Sequence, residues 1–182
     1  MSHRSCLLAI TSSVALLAAC SKATAPPTSR VPVRVAAASD LARAFAVLGA
    51  DFEKATGQPV TFSFGSTGLL AKQLREGAPF DLFAAANVSF VDEVVAAKAC
   101  DGATKRPYAR GRIAVWSKQG GVTPPSTIEQ LAEARFTKIA IASPQHAPYG
   151  QAARDALRDA GAWATIEPRL VFGENVSQTL QL

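Results

Sequence analysis

Charge and long apolar runs are both scarce in this chain. Of its 182 residues, 18% are charged, which is below the quarter typical of soluble proteins and argues against a disordered, charge-solvated chain. No apolar run reaches the roughly 18–20 residues of a membrane-spanning helix. Lys and Arg outnumber Asp and Glu by 19 to 14, but they are scattered and form no stripe that would follow a nucleic-acid backbone. The sequence predicts one compact domain or two small lobes, and no nucleic-acid partner.

Catalytic and metal-binding constellations are also missing. Of three cysteines, only Cys100 lies beyond the first 20 residues, so no internal disulfide is possible there, and we interpret Cys100 as a packing residue. The single histidine beyond residue 3 is His146; one histidine makes no metal site, and we expect it in a solvated loop. No Ser-His-Asp spacing, paired acids or phosphate-binding P-loop is recognisable. The sequence therefore predicts a protein that is not an enzyme and has no cofactor.

The first residues have the pattern of an export signal. Arg4 precedes a short apolar stretch, which ends in Leu17-Ala18-Ala19-Cys20. This resembles a bacterial lipoprotein signal, in which the cysteine carries the lipid, and it implies a signal peptide over 1–20 with lipidation at Cys20. The alternative is an ordinary secretory signal cut after Ala23 or Ala25. The polar, Pro-rich residues 21–30 are typical of a tether.

From residue 31 onward, short β-like runs alternate with amphipathic helical runs. This alternation predicts an α/β fold with mostly parallel sheets, built as two βα lobes over 31–108 and 109–182. In the first lobe, the 4, 3 and 4 spacing of Leu41, Phe45, Leu48 and Phe52 predicts one apolar face of a helix. A third strand is predicted at 81–86 and expected to be buried on both faces, and Asn87 is the predicted cap of the helix after it.

The second lobe includes a predicted strand at 112–116 (RIAVW) and a last helix capped by Asn175. We interpret Trp116, Trp163 and Phe80 as packing residues. The chain ends within a helix that has barely begun, and we therefore expect a truncated product whose second half is incomplete.

Three predicted strand-to-helix junctions carry donors suited to an anion. They are Ala38-Ser39-Asp40, Gly65-Ser66-Thr67-Gly68 and Gly173-Glu174-Asn175-Val176. Ligands of open parallel sheets bind at the carboxyl ends of strands, where helix N-termini offer unpaired N–H groups and a positive dipole end. Ser and Thr are also ordinary helix caps. Each junction alone is therefore ambiguous, and their common position in the predicted sheets is what favours an anion site.

These junctions also carry a family resemblance. The segments VAAASDL at 35–41, FGSTGLLAKQL at 64–74 and GAPFDLFAAA at 77–86 resemble the molybdate-binding proteins of ABC uptake systems, as do PQHAPYG at 144–150, GAW at 161–163 and GENV at 173–176. The matches follow one another in order over residues 33–180. The resemblance implies a periplasmic-binding-protein-like fold whose two lobes close on molybdate or tungstate.

The resemblance also implies particular ligand contacts. Hydroxyl donors match Ser39 and Thr67, with Ser66 as its neighbour, and backbone N–H donors match Tyr149 and Val176. The implied partners are an ABC permease in the inner membrane and, through the lipid anchor, the membrane on the periplasmic side; the protein is expected to be a monomer. Alternatives are another oxyanion or small organic acid as ligand, or a fragment that binds nothing.

Asp40 is adjacent to Ser39 but is expected to stay outside the site. A carboxylate facing inward would repel a dianion, and Asp40 as the first residue of a helix would stabilise the helix dipole while pointing to solvent. Phosphate differs from molybdate in keeping a proton at neutral pH, which needs an acceptor such as Asp. The position of Asp40 therefore bears directly on which oxyanion the site would select.

Overall fold

Two separate parallel β-sheets organise residues 30–182, the part of the chain that this computed structural model describes. The strands are β1 (Val33–Ala38), β2 (Val60–Gly65), β3 (Leu82–Ala84), β4 (Ile139–Ala142) and β5 (Leu170–Gly173). The first sheet has the order β2-β1-β3, and the second pairs β4 with β5. All three strand pairs are parallel. The predicted α/β class with parallel sheets is confirmed.

Helices connect the strands in both sheets. They are α1 (Ala42–Thr56), α2 (Thr67–Arg75), α3 (Val88–Ala96), α4 (Pro148–Asp159), α5 (Trp163–Ile166) and α6 (Val176–Thr179). Short 3-10 helices span Ser39–Leu41, Gly102–Thr104, Glu129–Ala132 and Glu167–Arg169. We call β1–β3 with α1–α3 the three-stranded unit, and β4 and β5 with α4–α6 the two-stranded unit. Within residues 30–182, no helix combines the length and the apolar character needed to cross a membrane.

The export signal and its lipidation site fall outside the described residues. The signal over 1–20, Cys20 and all but the last residue of the 21–30 tether precede residue 30, where the description begins. These features therefore remain predictions from the sequence.

The central strand β1 forms the core of the three-stranded unit. It lies between β2 and β3, and its last residues are buried small or β-branched side chains, from Val35 to Ala38. Leu41 and Phe45, at the beginning of the predicted apolar face of the first helix, pack against this strand. Leu48, further along the same face, is 59% exposed. The helical spacing was therefore predicted correctly, but only the first half of its apolar face is covered by the described residues.

The predicted strand at 112–116 does not form. Residues 107–118 adopt no regular structure, and Trp116, expected to pack, is 66% exposed. A strand needs a neighbour to pair with its backbone, and among residues 30–182 none lies beside this segment. The third predicted strand, 81–86, is shortened to β3. Leu82 is 49% exposed, because β3 is an edge strand and is not covered on both faces as expected.

The second core belongs to the two-stranded unit. Leu131, Phe136, Leu157 and Ile166 are buried together, and Trp163 packs against them as predicted. Other predicted packing residues behave similarly in the three-stranded unit, where Phe80 and Cys100 are partly buried against a further cluster that includes Leu74 and Val94. The burial of Cys100 raises the pKa of its thiol, which disfavours the reactive thiolate.

We expect Ile166→Ala to lower the free energy of unfolding by about 2–5 kcal/mol, because Ile166 is 0% exposed and truncation leaves a cavity. The matched control is Ile113→Ala, in the segment that forms no strand. Ile113 is 43% exposed, and its truncation is expected to cost less than about 1 kcal/mol. Urea denaturation of both variants measures the difference; equal losses would show that residues 112–116 are packed in solution.

Candidate functional site

The carboxyl ends of the two sheets face a common cavity. Its empty volume, including the open mouth, is about 190 Å³. The lining comes from the residues that follow β1 and β2, from Ala86 beyond β3, from the beginning of α4 and from the junction between β5 and α6. Because both sheets are parallel, every junction contributes the beginning of a helix or turn rather than its end. The cavity therefore lies where the backbone N–H groups of first turns are found.

All of the five predicted site residues line this cavity. They are Ser39, Ser66, Thr67, Tyr149 and Val176. The first three are buried polar side chains. Ser39 follows the last residue of β1 and begins the turn Ser39–Leu41. Within residues 30–182 its hydroxyl makes no hydrogen bond, and it is therefore available to a ligand.

Ser66 and Thr67 are adjacent, but their hydroxyls have different partners. The Ser66 hydroxyl donates to the His146 carbonyl oxygen at 2.6 Å, so its proton is committed to another part of the chain. The Thr67 Oγ1 instead accepts a hydrogen bond of 3.1 Å from the Ala86 backbone N–H. A hydroxyl that accepts one bond still has its proton to donate. Of the two hydroxyls, that of Thr67 is the one free to donate to an anion.

Two further donors come from helix N-termini on the two-stranded unit. Pro148 begins α4, so that Tyr149 is its second residue, and Val176 begins α6 after the cap residue Asn175. The N–H groups of the first turn have no acceptor within their own helix. The Asn175 side chain accepts from the Gln178 N–H, as a cap residue does. Within residues 30–182 neither the Tyr149 N–H nor the Val176 N–H donates a hydrogen bond, so both backbone groups predicted from the resemblance are available beside the cavity.

The two units touch each other through the His146 carbonyl. It accepts from the Ser66 hydroxyl and, at 2.9 Å, from the Gly68 N–H. A Cβ at position 68 would lie 2.6 Å from this oxygen, so the contact requires glycine. The His146 Nδ1 also lies 3.0 Å from the Ser66 Oγ. The expectation of a solvated loop histidine is therefore wrong: His146 is partly buried and bridges the two units.

Asp40 differs from its expected position. It is exposed, as expected, but it lines the cavity and its carboxylate accepts a 2.7 Å hydrogen bond from the Tyr149 hydroxyl. It does not simply point to solvent, because the ring of Tyr149 reaches it from the other unit. Burial, followed by this hydrogen bond and the Asp40 charge, raises the pKa of Tyr149. The Tyr149 hydroxyl is therefore protonated at neutral pH and acts as the donor.

A second cavity adjoins the first. Its empty volume is about 360 Å³, and it shares Asp40, Ala86 and Tyr149 with the first cavity while adding Tyr108 and Arg110. The Tyr108 hydroxyl donates to the Ala85 carbonyl at 2.6 Å. Burial, with a smaller effect of the Asp40 charge, raises the pKa of Tyr108. Sequence reasoning missed these residues, since the segment 101–111 has no periodicity or motif that would single them out.

The site residues have no metal-binding character. Across residues 30–182, no group of three or more His, Cys, Asp or Glu side chains is placed to hold a metal ion. Among the described residues that line the first cavity, Asp40 is the one with a charged side chain. The available groups are neutral hydroxyl and amide donors, which suit an anion rather than a cation.

Comparison with known proteins identifies the family to which this chain belongs. The model of the family described as "Bacterial extracellular solute-binding protein" matches residues 33–182. The molybdate-binding protein ModA of Escherichia coli K12 is 33% identical over 156 residues, which is 82% of this chain and 60% of that protein. A putative ABC transporter substrate-binding lipoprotein of Bacillus subtilis, YvgL, is 26% identical and covers 91% of this chain and 64% of its own length.

A solved structure shows the same fold. The periplasmic molybdate-binding protein of Azotobacter vinelandii superposes with a TM-score of 0.62 at 23% identity, over 82% of this chain and 65% of that one. The superposition thus shows a periplasmic-binding-protein-like fold. The chain belongs to the family of bacterial extracellular solute-binding proteins. It resembles the ModA proteins within that family and spans about 60% of the length of the E. coli relative.

We expect Thr67→Val to increase the exchange rate of the Ala86 amide hydrogen, because valine removes the oxygen that this amide bonds while nearly conserving volume. Thr67→Ser is the matched control: it retains the hydroxyl and loses only a methyl group. Hydrogen exchange followed by NMR measures both variants. Equal protection of Ala86 in Thr67→Val and the native protein would show that the Thr67 hydroxyl faces elsewhere in solution.

Proposed function

We propose that this protein is the solute-binding component of an ABC importer, and that it captures molybdate or tungstate between two lobes, 31–108 and 109–182. The observation that carries the proposal is the convergence of available hydroxyl and amide donors from both units on one cavity, where none of the described lining residues has a cationic side chain. The resemblance to ModA proteins supports the same ligand. In this assignment the protein binds and releases its ligand without chemical change and is not an enzyme.

Four groups form the proposed donor set. The hydroxyls of Ser39 and Thr67 donate from the three-stranded unit, and the N–H groups of Tyr149 and Val176 donate from the two-stranded unit. Ser66, also predicted as a ligand contact, takes a supporting role, since its proton is bonded to His146. Helix N-termini add a favourable potential for negative charge. Because the donors are divided between the units, the anion would stabilise their closure.

Selectivity would depend on whether the cavity offers an anion a spare acceptor as well as donors. Molybdate and tungstate are fully deprotonated at neutral pH and require donors only, whereas phosphate retains a proton that needs an acceptor. The Asp40 carboxylate accepts from Tyr149, yet a carboxylate has room for further hydrogen bonds. Its presence at the cavity wall favours, as the second candidate, a protonated oxyanion such as phosphate, whose proton Asp40 would accept.

The proposed location is the periplasmic side of the cell envelope. The sequence of residues 17–20 supports acylation at Cys20, and the similarity to a substrate-binding lipoprotein of B. subtilis supports a lipid anchor. An anchored receptor would stay close to its partner, which we propose is an ABC permease in the inner membrane. A soluble periplasmic protein with a cleaved signal is the alternative. We propose that the protein acts as a monomer.

The direct test is calorimetric titration of the full chain with molybdate, tungstate, sulfate and phosphate. We expect molybdate and tungstate to bind at least tenfold more tightly than the other two, since both are larger than sulfate and carry no proton. Preferential binding of phosphate would support the second candidate. An equal response to all four anions, or none to any, would contradict the oxyanion assignment.

Single substitutions test the donor set. Ser39→Ala is expected to weaken molybdate binding by about 10- to 100-fold, the usual contribution of a hydrogen bond to a charged group. Ser63→Ala, an exposed position on β2, is the matched control and should bind like the native protein. Asp40→Asn is expected to keep the affinity within a few-fold. A hundredfold loss in Asp40→Asn would show that its charge takes part in binding.

A further inference from the structure

The Asp40 carboxylate and the Tyr149 hydroxyl meet across the cleft between the two units. We propose that this hydrogen bond is a latch, which holds the cleft closed and slows release of the bound oxyanion. The inference rests on the proposed function and extends it, because it assigns to these side chains a role in retention that is separate from the donors of the ligand shell. Asp40 acts as a positioning residue, since it fixes Tyr149 and need not touch the ligand.

The location of the two residues makes the bond a link between units. Asp40 is in the turn that follows β1, and Tyr149 is the second residue of α4. They are 109 residues apart in the chain, and their oxygens are 2.7 Å apart. The other hydrogen bonds that join the units through a side chain run from Ser66 to His146 and from Ser177 to the Ser39 carbonyl. Of these side-chain hydrogen bonds between the units, within the described residues, the Asp40–Tyr149 bond is the one whose acceptor is charged. Hydrogen bonds to a charged acceptor are stronger than those between neutral groups.

The Tyr149 hydroxyl is held in place from more than one side. The Asp40 carboxylate accepts a hydrogen bond from this hydroxyl. On another side, a Cβ at Gly111 would lie 2.5 Å from the Tyr149 hydroxyl oxygen. Any larger residue at position 111 would therefore push the hydroxyl away from Asp40. The raised pKa of Tyr149 keeps it protonated far above neutral pH. The donor and the acceptor thus keep their roles throughout the physiological range.

The bond also lies where the two cavities adjoin. Asp40 and Tyr149 line both the first cavity, which contains Ser39 and Thr67, and the second, which contains Tyr108 and Arg110. Breaking the bond would free the ring of Tyr149 and loosen the beginning of α4, which carries the Tyr149 N–H of the proposed donor set.

The test measures molybdate dissociation by stopped flow from the native chain and five variants. Tyr149→Phe removes the hydroxyl and keeps the backbone N–H, and Asp40→Ala removes the acceptor; both are expected to release molybdate about tenfold faster. Asp40→Asn removes the charge and keeps an acceptor oxygen, so it should stay within about threefold of the native rate. Comparing Asp40→Asn with Asp40→Ala separates the hydrogen bond from the repulsion between the carboxylate and the anion.

Tyr108→Phe is the matched control. It removes a tyrosine hydroxyl from the second cavity, but that hydroxyl donates to the Ala85 carbonyl, next to β3, and does not join the two units. Release from this variant should be unchanged. In Tyr149→Phe the hydrogen bond is already lost, so a further substitution of Asp40 has no bond left to remove. After correction for the effect of the Asp40 charge, the double variant Asp40→Ala/Tyr149→Phe should therefore release molybdate no faster than Tyr149→Phe. Native release rates in Tyr149→Phe, or equal acceleration in Tyr108→Phe, would overturn the latch.

A second measurement needs no ligand. The Gly68 amide donates across the cleft to His146, so its hydrogen exchange reports how often the units separate. We expect Tyr149→Phe and Asp40→Ala to lower its protection by about tenfold, and Tyr108→Phe to leave it unchanged. If the native protein fails to bind molybdate, the proposed function is wrong while this measurement still decides the latch. Unchanged Gly68 protection in Tyr149→Phe would contradict the latch whichever anion binds.

Discussion

The arrangement depends most on the carbonyl oxygen of His146. It accepts from the Ser66 hydroxyl and from the Gly68 N–H, and these bonds bring the beginning of α2 against the segment that precedes α4. A partly buried carbonyl satisfied by two donors stabilises the approach of the units, because an acceptor left unpaired on burial costs about 1–3 kcal/mol. Together with the Asp40–Tyr149 and Ser177–Ser39 hydrogen bonds, this contact places Ser39 and Thr67 of one unit and Tyr149 and Val176 of the other around one cavity.

Local sequence patterns predicted most of the elements and the edge of each sheet at which the site lies. These patterns depend only on residues that are close together in the chain. The apolar spacing of the first helix and the caps at Asn87 and Asn175 were found as expected, and the junction hydroxyls line the first cavity. The prediction of a strand at 112–116 was wrong, and the reason is physical. A β-run predicts a backbone that is able to pair, but pairing requires a partner strand, which the described residues do not supply.

Contacts between distant residues were beyond the sequence. Asp40 looked like an ordinary first-turn acid and His146 like a loop residue, since each finds its partner in the other unit. No periodicity relates positions that are 80 or 109 residues apart. The choice between Ser66 and Thr67 was equally undecided, because the two hydroxyls differ only in where their protons are directed. Folding, and not residue type, determines which of them remains free to donate.

Neutral donors give the cavity a kind of selectivity that a lysine or arginine would not. A cationic side chain attracts any anion, and its long, flexible stem adapts to anions of different size. Hydroxyl and amide donors at the ends of strands are held in place by the fold. They therefore bind tightly only an oxyanion whose oxygens lie within hydrogen-bond distance of all of them. The Asp40 carboxylate does not add to this discrimination between dianions. Its negative charge repels every dianion by a similar free energy, so the choice between dianions of different size has to come from the positions of the neutral donors.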